Sequence, residues 1–458
     1  MNYYQEHRDA FLEGLKAFLR IPSISTLPEY KPDVRRAAEF VRDELHQAGL
    51  QHAELIEGPG NPLVYAEWTD APGKPTLLMY GHYDVQPPDP LEEWTSPPFE
   101  PTIRREDIFA RGACDDKGQT YILIKAVEGY LKTIGRLPVN VKFLVEGEEE
   151  VGGEHIESYV SSKPARLKAD AAVICDTEMF APDLPTLCVG LRGIVYVELE
   201  VRGADHDLHS GVYGGVAPNP IQAIAEILCA LKDRDGHILI PGFYDAVRPP
   251  TSEELSAWAR LPFDEEKYRK ELGVRELVGE PEVSIFERVW ARPTLEIHGI
   301  RGGFIGEGAK TVIPARATAK ISMRLVADQK PQEALEQFRQ AVDQVCPRGV
   351  TATVKPVHGA APSLVKPDNS FISTAAAAMK EVFGKETVYI RSGGSIPIVG
   401  LFDTWLGIPS VLMGFGLPDD NLHAPNEKFH LPNFFRGIEA VARYMQMLAE
   451  QTPNSPRV

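Results

Sequence analysis

No apolar run in this 458-residue chain is long enough to span a bilayer, and the N-terminal MNYYQEHRDA is polar where a secretory leader would be apolar. Basic residues are in deficit, with 48 Lys and Arg against 65 Asp and Glu for a formal net charge of −17. Nucleic acid and anionic membrane surfaces are therefore excluded as expected partners, because both would be repelled. Cysteine is scarce as well. The five (Cys114, Cys175, Cys188, Cys229 and Cys346) are odd in number and lack CxxC spacing, which argues against a disulfide frame and for reduced thiols in the cytoplasm. There is no internal repeat and no low-complexity tract. What remains is ordinary for a soluble globular protein, 43% hydrophobic and 25% charged, and the length leads us to expect two domains.

The periodicities divide the chain. Phe11, Leu15, Phe18 and Leu19 predict a helix over 3–20, and a second helix runs from Pro32 to Gly49. Strands follow at 51–56, 62–68 and 76–81, then a helix over 117–134, a strand at 139–145, a helix at 153–162 and a strand at 171–175. Alternation of this kind implies a largely parallel sheet covered by helices. Near Cys188 the character changes, because LRGIVYVELEVRG and RATAKISMRL alternate apolar and polar residues as half-exposed antiparallel strands do. Helices fit 220–232 and PQEALEQFRQAVDQV, and 241–290 reads as irregular. The first pattern resumes near Phe371 and ends in a helix over 432–449. The expected organisation is an α/β catalytic domain made of residues 1–187 and 361–458, with an α+β domain inserted at 188–360.

Acidic and histidine clusters recur at the predicted strand ends. His82 and Asp84 are two apart on extended chain and so point the same way, an imidazole beside a carboxylate that suits a metal ligand and its orienter. Glu148, Glu149 and Glu150 follow the next strand, Asp176 follows another, and Asp115 and Asp116 precede a helix. Any one cluster alone reads more simply as a solvated loop. Together, at the carboxyl ends of one sheet, they would repel unless cations held them. His423 supplies a second imidazole. Two His and three carboxylates suit two zinc ions with one shared carboxylate and a bridging water, and the three negative charges leave such a pair with a net charge of about +1.

The motifs GHYDVQP, RGACDDKG, EGEEEVG, ICDTE, DLHSGVYGG, AKTVIP, SMR, RSGGSIP and LHAPNEK resemble those of the carnosinase-like dipeptidases. These are a branch of the dizinc peptidase and deacylase superfamily, which also holds carboxypeptidase G, aminoacylase and succinyl-diaminopimelate desuccinylase. The resemblance implies the phosphorylase/hydrolase-like dizinc exopeptidase fold, with the insert as a lid and dimerisation domain. It further implies that Asp115 bridges two Zn2+ ions, with Mn2+ or Co2+ accepting the same set, and that His82 and Asp176 complete one site and Glu150 and His423 the other. Asp84 would orient His82, and a cis peptide would join Asp115 to Asp116. Spacing to Gly152 makes Glu149 the base, with Glu148 a solvated neighbour. His209 would stabilise the oxyanion, its plainer reading being a loop histidine that caps Ser210 or its neighbours. Arg324, Gly394 and Ser395 would hold the substrate's C-terminal carboxylate, Thr311 and His358 match further substrate contacts, and Cys114 and Cys175 read as packing residues.

The expected protein is thus a cytoplasmic dizinc metallopeptidase that hydrolyses dipeptides or similar small peptide substrates. It would be a homodimer formed through the lid domain, with His209 and Thr311 acting in trans on the partner's metals. An N-acyl-amino-acid deacylase keeps the chemistry and changes the substrate. A non-catalytic homologue is the rival of another class, and such a chain would be expected to have lost a ligand or the base.

Overall fold

The structure, a computed structural model, describes residues 2–451. It divides into two compact units, one of residues 1–189, 365–390 and 401–458, the other of residues 190–364 and 391–400. The sequence reading left 391–400 with the catalytic domain. It clusters instead with the second unit because Arg391, nearly fully buried, donates to Glu254 Oε1 from both Nε (3.0 Å) and Nη2 (2.6 Å), and Arg192 N–H bonds Gly394 O at 3.1 Å.

The first unit is α/β. Six strands of its nine-stranded sheet lie side by side in the order Gln51–Ile56, Leu63–Trp68, Asn140–Glu146, Thr76–His82, Ala171–Ile174, Ser410–Leu412. The last four of these are mutually parallel, and the first two are antiparallel additions at the edge. Leu77, Met79, Val141, Phe143 and Val173 are buried in one core with the helices Lys31–Ala48, Lys117–Thr133 and Leu431–Glu450. Lys31–Ala48 shows how the sequence writes its boundary. Val34, Ala37, Ala38, Val41 and Leu45 form the buried stripe, and Gly49, at φ 108°, closes the helix in the left-handed region that other residues avoid. The first expected helix is in fact two, Asn2–Glu6 and Arg8–Leu19, broken at His7, whose ring lies 2.9 Å from the Tyr3 carbonyl.

The second unit is α+β. Thr294–Gly302, Arg316–Leu325, Gly193–Arg202 and Thr351–Ala360 form an antiparallel sheet in that order. Val195, Val197, Leu199 and Val201 turn one face toward the helices Pro220–Leu231 and Pro331–Val345, as the alternation predicts. The stretch read as irregular contains short helices at Ser252–Trp258, Glu265–Glu271 and Ile285–Trp290. Two begin with capping boxes, Thr251 with Glu254 and Ser284 with Glu287, a signal legible in the sequence. Among the described residues no helix is long and apolar enough to cross a membrane.

Candidate metal centre

Parallel pairing brings three chain reversals to one edge. His82 ends its strand opposite Glu146, Glu149 and Glu150 follow in the next turn, and Asp176 lies just beyond Ala171–Ile174. This is where ligand sites form in open parallel sheets. Gly81 is required there, since a Cβ would overlap Thr120 Oγ1 and stand 2.8 Å from Asp116 Oδ2. Asp116 Oδ2 in turn accepts the His82 backbone N–H at 3.1 Å and the Thr120 hydroxyl at 2.7 Å, fixing the strand end to the helix Lys117–Thr133. The Asp115–Asp116 peptide is cis, as the resemblance implies.

The five sequence-predicted ligands converge as two groups sharing one residue. One ligand atom from each of His82, Asp115 and Asp176 lies within 4.8 Å of the others, and the same holds for Asp115, Glu150 and His423. Asp115 divides its oxygens between the histidines, with Oδ1 3.2 Å from His82 Nε2 and Oδ2 2.9 Å from His423 Nε2. Behind His82, Asp84 faces Nδ1 with Oδ1 at 3.4 Å and its carbonyl at 3.1 Å. Glu150 Oε2 accepts from Gln86 Nε2 at 2.8 Å and lies 3.4 Å from His423 Nε2. Cys114 and Cys175 are buried in the apolar core, as packing residues should be.

The donor set fits divalent cations. His82 Nε2 is buried, points at the shared carboxylate and makes no hydrogen bond. Asp176 and Glu149 are pushed up, by burial first and then by neighbouring carboxylates. Burial opposes charge on His82, but Asp115, Asp84 and Asp116 outweigh it and raise the imidazole. A pocket of buried acids and raised histidines is one that positive ions would relax. Two groups with a common carboxylate can hold a dinuclear centre.

Glu148 corrects the reading of a solvated neighbour. Its Oε1 accepts the Asn61 N–H at 2.9 Å and its Oε2 the His155 N–H at 3.3 Å, so it ties two loops together. Ser25, which donates to Asp84 Oδ2 at 2.7 Å, and Glu427, whose carboxylate lies under the Asp115 loop, were also missed. Both sit among ordinary turn residues, and periodicity does not mark them.

The remaining predicted site residues lie in the second unit. His209 Nδ1 accepts the Gly211 N–H at 2.9 Å, the capping expected of a loop histidine, which leaves the ring proton on Nε2 in the neutral form. His209 pairs with Val312, and Ser210 N–H bonds Thr311 O at 3.1 Å, so His209 and Thr311 share one short ladder. Arg324 Nη1 donates to Ser395 Oγ at 2.9 Å, and burial lowers its guanidinium pKa. Gly394 N–H is engaged by Ser392 Oγ at 3.1 Å. His358 stacks on Tyr196 with centroids 5.2 Å apart, and Tyr196 stacks on His298 at the same distance.

The sequence pattern of peptidase family M20/M25/M40 matches residues 78–447. The chain is 32% identical to human Beta-Ala-His dipeptidase, over 98% of this chain and 92% of that protein. It is also 32% identical to Cys-Gly metallodipeptidase dug1 of Schizosaccharomyces pombe, over 97% of each. Among solved structures, the metallo-carboxypeptidase Sso-CP2 of Sulfolobus solfataricus superposes with a TM-score of 0.85 at 33% identity, covering 96% of this chain and 99% of that one.

Proposed function

This chain belongs to peptidase family M20/M25/M40, a hydrolase of peptide bonds, and from that premise we propose that it is a dipeptidase acting on short substrates with a free C-terminal carboxylate. The observation that carries the reading is Asp115, whose two oxygens are divided between a His82/Asp176 group and a Glu150/His423 group. The named activities of the human and fission-yeast relatives favour dipeptides over N-acyl amino acids.

Divalent cations bound there, zinc being the default for His with carboxylate, would polarise the scissile carbonyl and lower the pKa of the attacking water. Glu149 takes the proton from that water as the new C–O bond forms, then delivers it to the amine nitrogen as the C–N bond breaks. Its burial among Asp176 and Glu150 suits a group that must hold a proton part-way through. His209 donates from Nε2 to the developing oxyanion. Arg324, its Nη1 steadied on Ser395 Oγ, presents charge to the substrate's carboxylate, which the backbone donors of Gly394 and Ser395 share, aided by Thr311 and His358.

The working form is a cytoplasmic homodimer, paired through the second unit, in which His209 and Thr311 serve the partner's metals. Thr294–Gly302 is an outer strand of its sheet, and Ile297 and Ile300 on it are exposed. Val216 and Ile305, 88% and 82% exposed, add apolar side chains that a partner could cover.

The test is release of alanine from Ala-Ala and from N-acetyl-alanine, by protein stripped with chelator and reloaded with Zn2+ or Mn2+. Turnover of Ala-Ala restored by metal is expected. Turnover of N-acetyl-alanine alone would make it a deacylase, and none with either would leave a non-catalytic homologue.

A further inference from the structure

Glu427 is 0% exposed, yet its carboxylate carries four donors. Oε1 accepts the backbone N–H of Cys114 at 2.9 Å and of Asp115 at 3.1 Å. Oε2 accepts the Gly112 N–H at 2.8 Å and Arg111 Nη1 at 2.8 Å. Its own carbonyl accepts the Ala110 N–H at 3.1 Å. The run 110–115, which ends in the carboxylate shared by both candidate metal groups, is thus held by one residue, its side chain taking Arg111, Gly112, Cys114 and Asp115 and its carbonyl Ala110.

The other end of that side chain's loop is equally constrained. His423 precedes Glu427 by four residues, and the loop between them is closed at its base. Lys428 N–H bonds Asp420 O at 3.0 Å, Lys428 Nζ lies 3.0 Å from Asp420 Oδ1, and Leu417 N–H bonds Asp420 Oδ2 at 2.7 Å. Thr95 N–H holds Asn426 Oδ1 at 2.8 Å. Within this loop Asn421, His423 and Asn426 have φ of 55°, 60° and 61°, a tight path with little slack.

We infer that Glu427 is a positioning residue that sets Asp115 and His423 to one another. The inference rests on the dimetal reading above. A carboxylate accepting several backbone N–H groups is among the strongest local anchors available, and a carboxamide cannot replace it, because its NH2 would face N–H donors. A role confined to neutralising Arg111 would not need the three backbone donors, and these are what tie Glu427 to the ligand loop.

The experiment titrates metal-free protein with Zn2+ and with Mn2+ by calorimetry, in the wild type, in Glu427→Gln and in Asn433→Ala. Asn433 is a second buried anchor, donating to Phe415 O at 3.1 Å in a bond that involves neither Glu427 nor residues 110–115, and it controls for general loosening. The wild type binding no metal would remove the dimetal reading itself. With binding present, Glu427→Gln is expected to weaken both sites by about 10- to 100-fold, because Asp115 belongs to both, while Asn433→Ala leaves them within a few-fold. Unchanged affinity in Glu427→Gln, or equal loss in both variants, would overturn the inference. Should Glu427→Gln not fold, amide exchange on the metal-free wild type decides. Slow exchange at Gly112, Cys114 and Asp115 is expected, and exchange as fast as in an open loop would overturn it.

Discussion

Asp84 Oδ2 accepts the backbone N–H of Glu150 at 3.2 Å, so the residue behind His82 in one candidate ligand group also fixes the chain that carries a member of the other. Ser25 Oγ holds the same oxygen at 2.7 Å, and the opposite oxygen faces His82 Nδ1 at 3.4 Å. Asp84→Asn would keep the size and lose this arrangement, since a carboxamide NH2 beside His82 Nδ1 opposes the tautomer that frees Nε2. Metal affinity is expected to fall by about 10- to 100-fold, with kcat falling alongside. Metal titration checks it; wild-type affinity in this variant would mean that the Asp84 carbonyl, 3.1 Å from Nδ1, suffices.

Glu149 and Glu148 are neighbours with opposite expected phenotypes. Glu149→Ala removes a base and no ligand, so both metals should remain while kcat falls by at least about 10²- to 10⁴-fold. Glu148→Ala removes the acceptor of two backbone N–H groups, at Asn61 and His155. It should cost about 1–3 kcal/mol of stability and leave kcat nearly intact. Denaturant melts, metal analysis and turnover on both variants separate the roles, and swapped outcomes would show that the register of EGEEEVG had been misread.

The strands and helices that carry the site were legible because burial imposes period. The Thr76–His82 strand and the Lys117–Thr133 helix begin where apolar patterning begins, and their ends bear the charged residues. The clustering of candidate ligands was legible because like charges at sheet ends call for cations, while their division into two groups came from the motif resemblance. Glu148 and Glu427 were not, because a carboxylate saturated by backbone N–H groups looks like any turn acid in a sequence. The attachment of 391–400 hinges on the Arg391–Glu254 pair, 137 residues apart, and pairing at such range leaves no local trace.

Metal binding should expel protons. In the metal-free enzyme Asp115 and Glu150 raise His423 to about 10, outweighing partial burial, and His82 is raised as well. At pH 7 His423 is therefore protonated and must lose that proton to ligate, so affinity for Zn2+ should climb as pH rises from about 6 to 9. Calorimetric heats at pH 7 should vary with the buffer's ionisation enthalpy by at least about one proton per chain. The metal-free fold has the opposite dependence. Its His423 pKa is above the unfolded value, so that stabilisation is complete below about pH 6.5 and is lost as pH rises through about 10. Heats independent of buffer would contradict the assignment of His423 as a ligand.

Arg324→Lys tests carboxylate recognition. Arg324 sits partly buried with Nη1 on Ser395 Oγ at 2.9 Å, and a lysine ammonium cannot keep that bond and offer a planar fork together. KM for Ala-Ala is expected to rise about tenfold or more with kcat changed little, the signature of lost uniform binding. If kcat falls and KM holds, Arg324 contributes to the chemical step rather than to anchoring.

The proposed sharing of His209 between subunits has a consequence that mixing exposes. Glu149→Ala and His209→Ala are each expected to be inactive as pure dimers. If His209 of one chain serves Glu149 of the other, a mixed dimer holds one site with both residues intact and one with neither. Random pairing makes about half of the dimers mixed, each with one working site of two, so activity should recover to about a quarter of wild type. If His209 acts within its own chain, every site in the mixture lacks one residue and nothing recovers. Exchange is established independently by mass-tagging one variant, so that silence with proven exchange counts against the shared site. Recovery would also assign a purpose to the short ladder between His209 and Val312, which holds the Nδ1-capped imidazole and Thr311 together as one unit that a subunit could present to its partner.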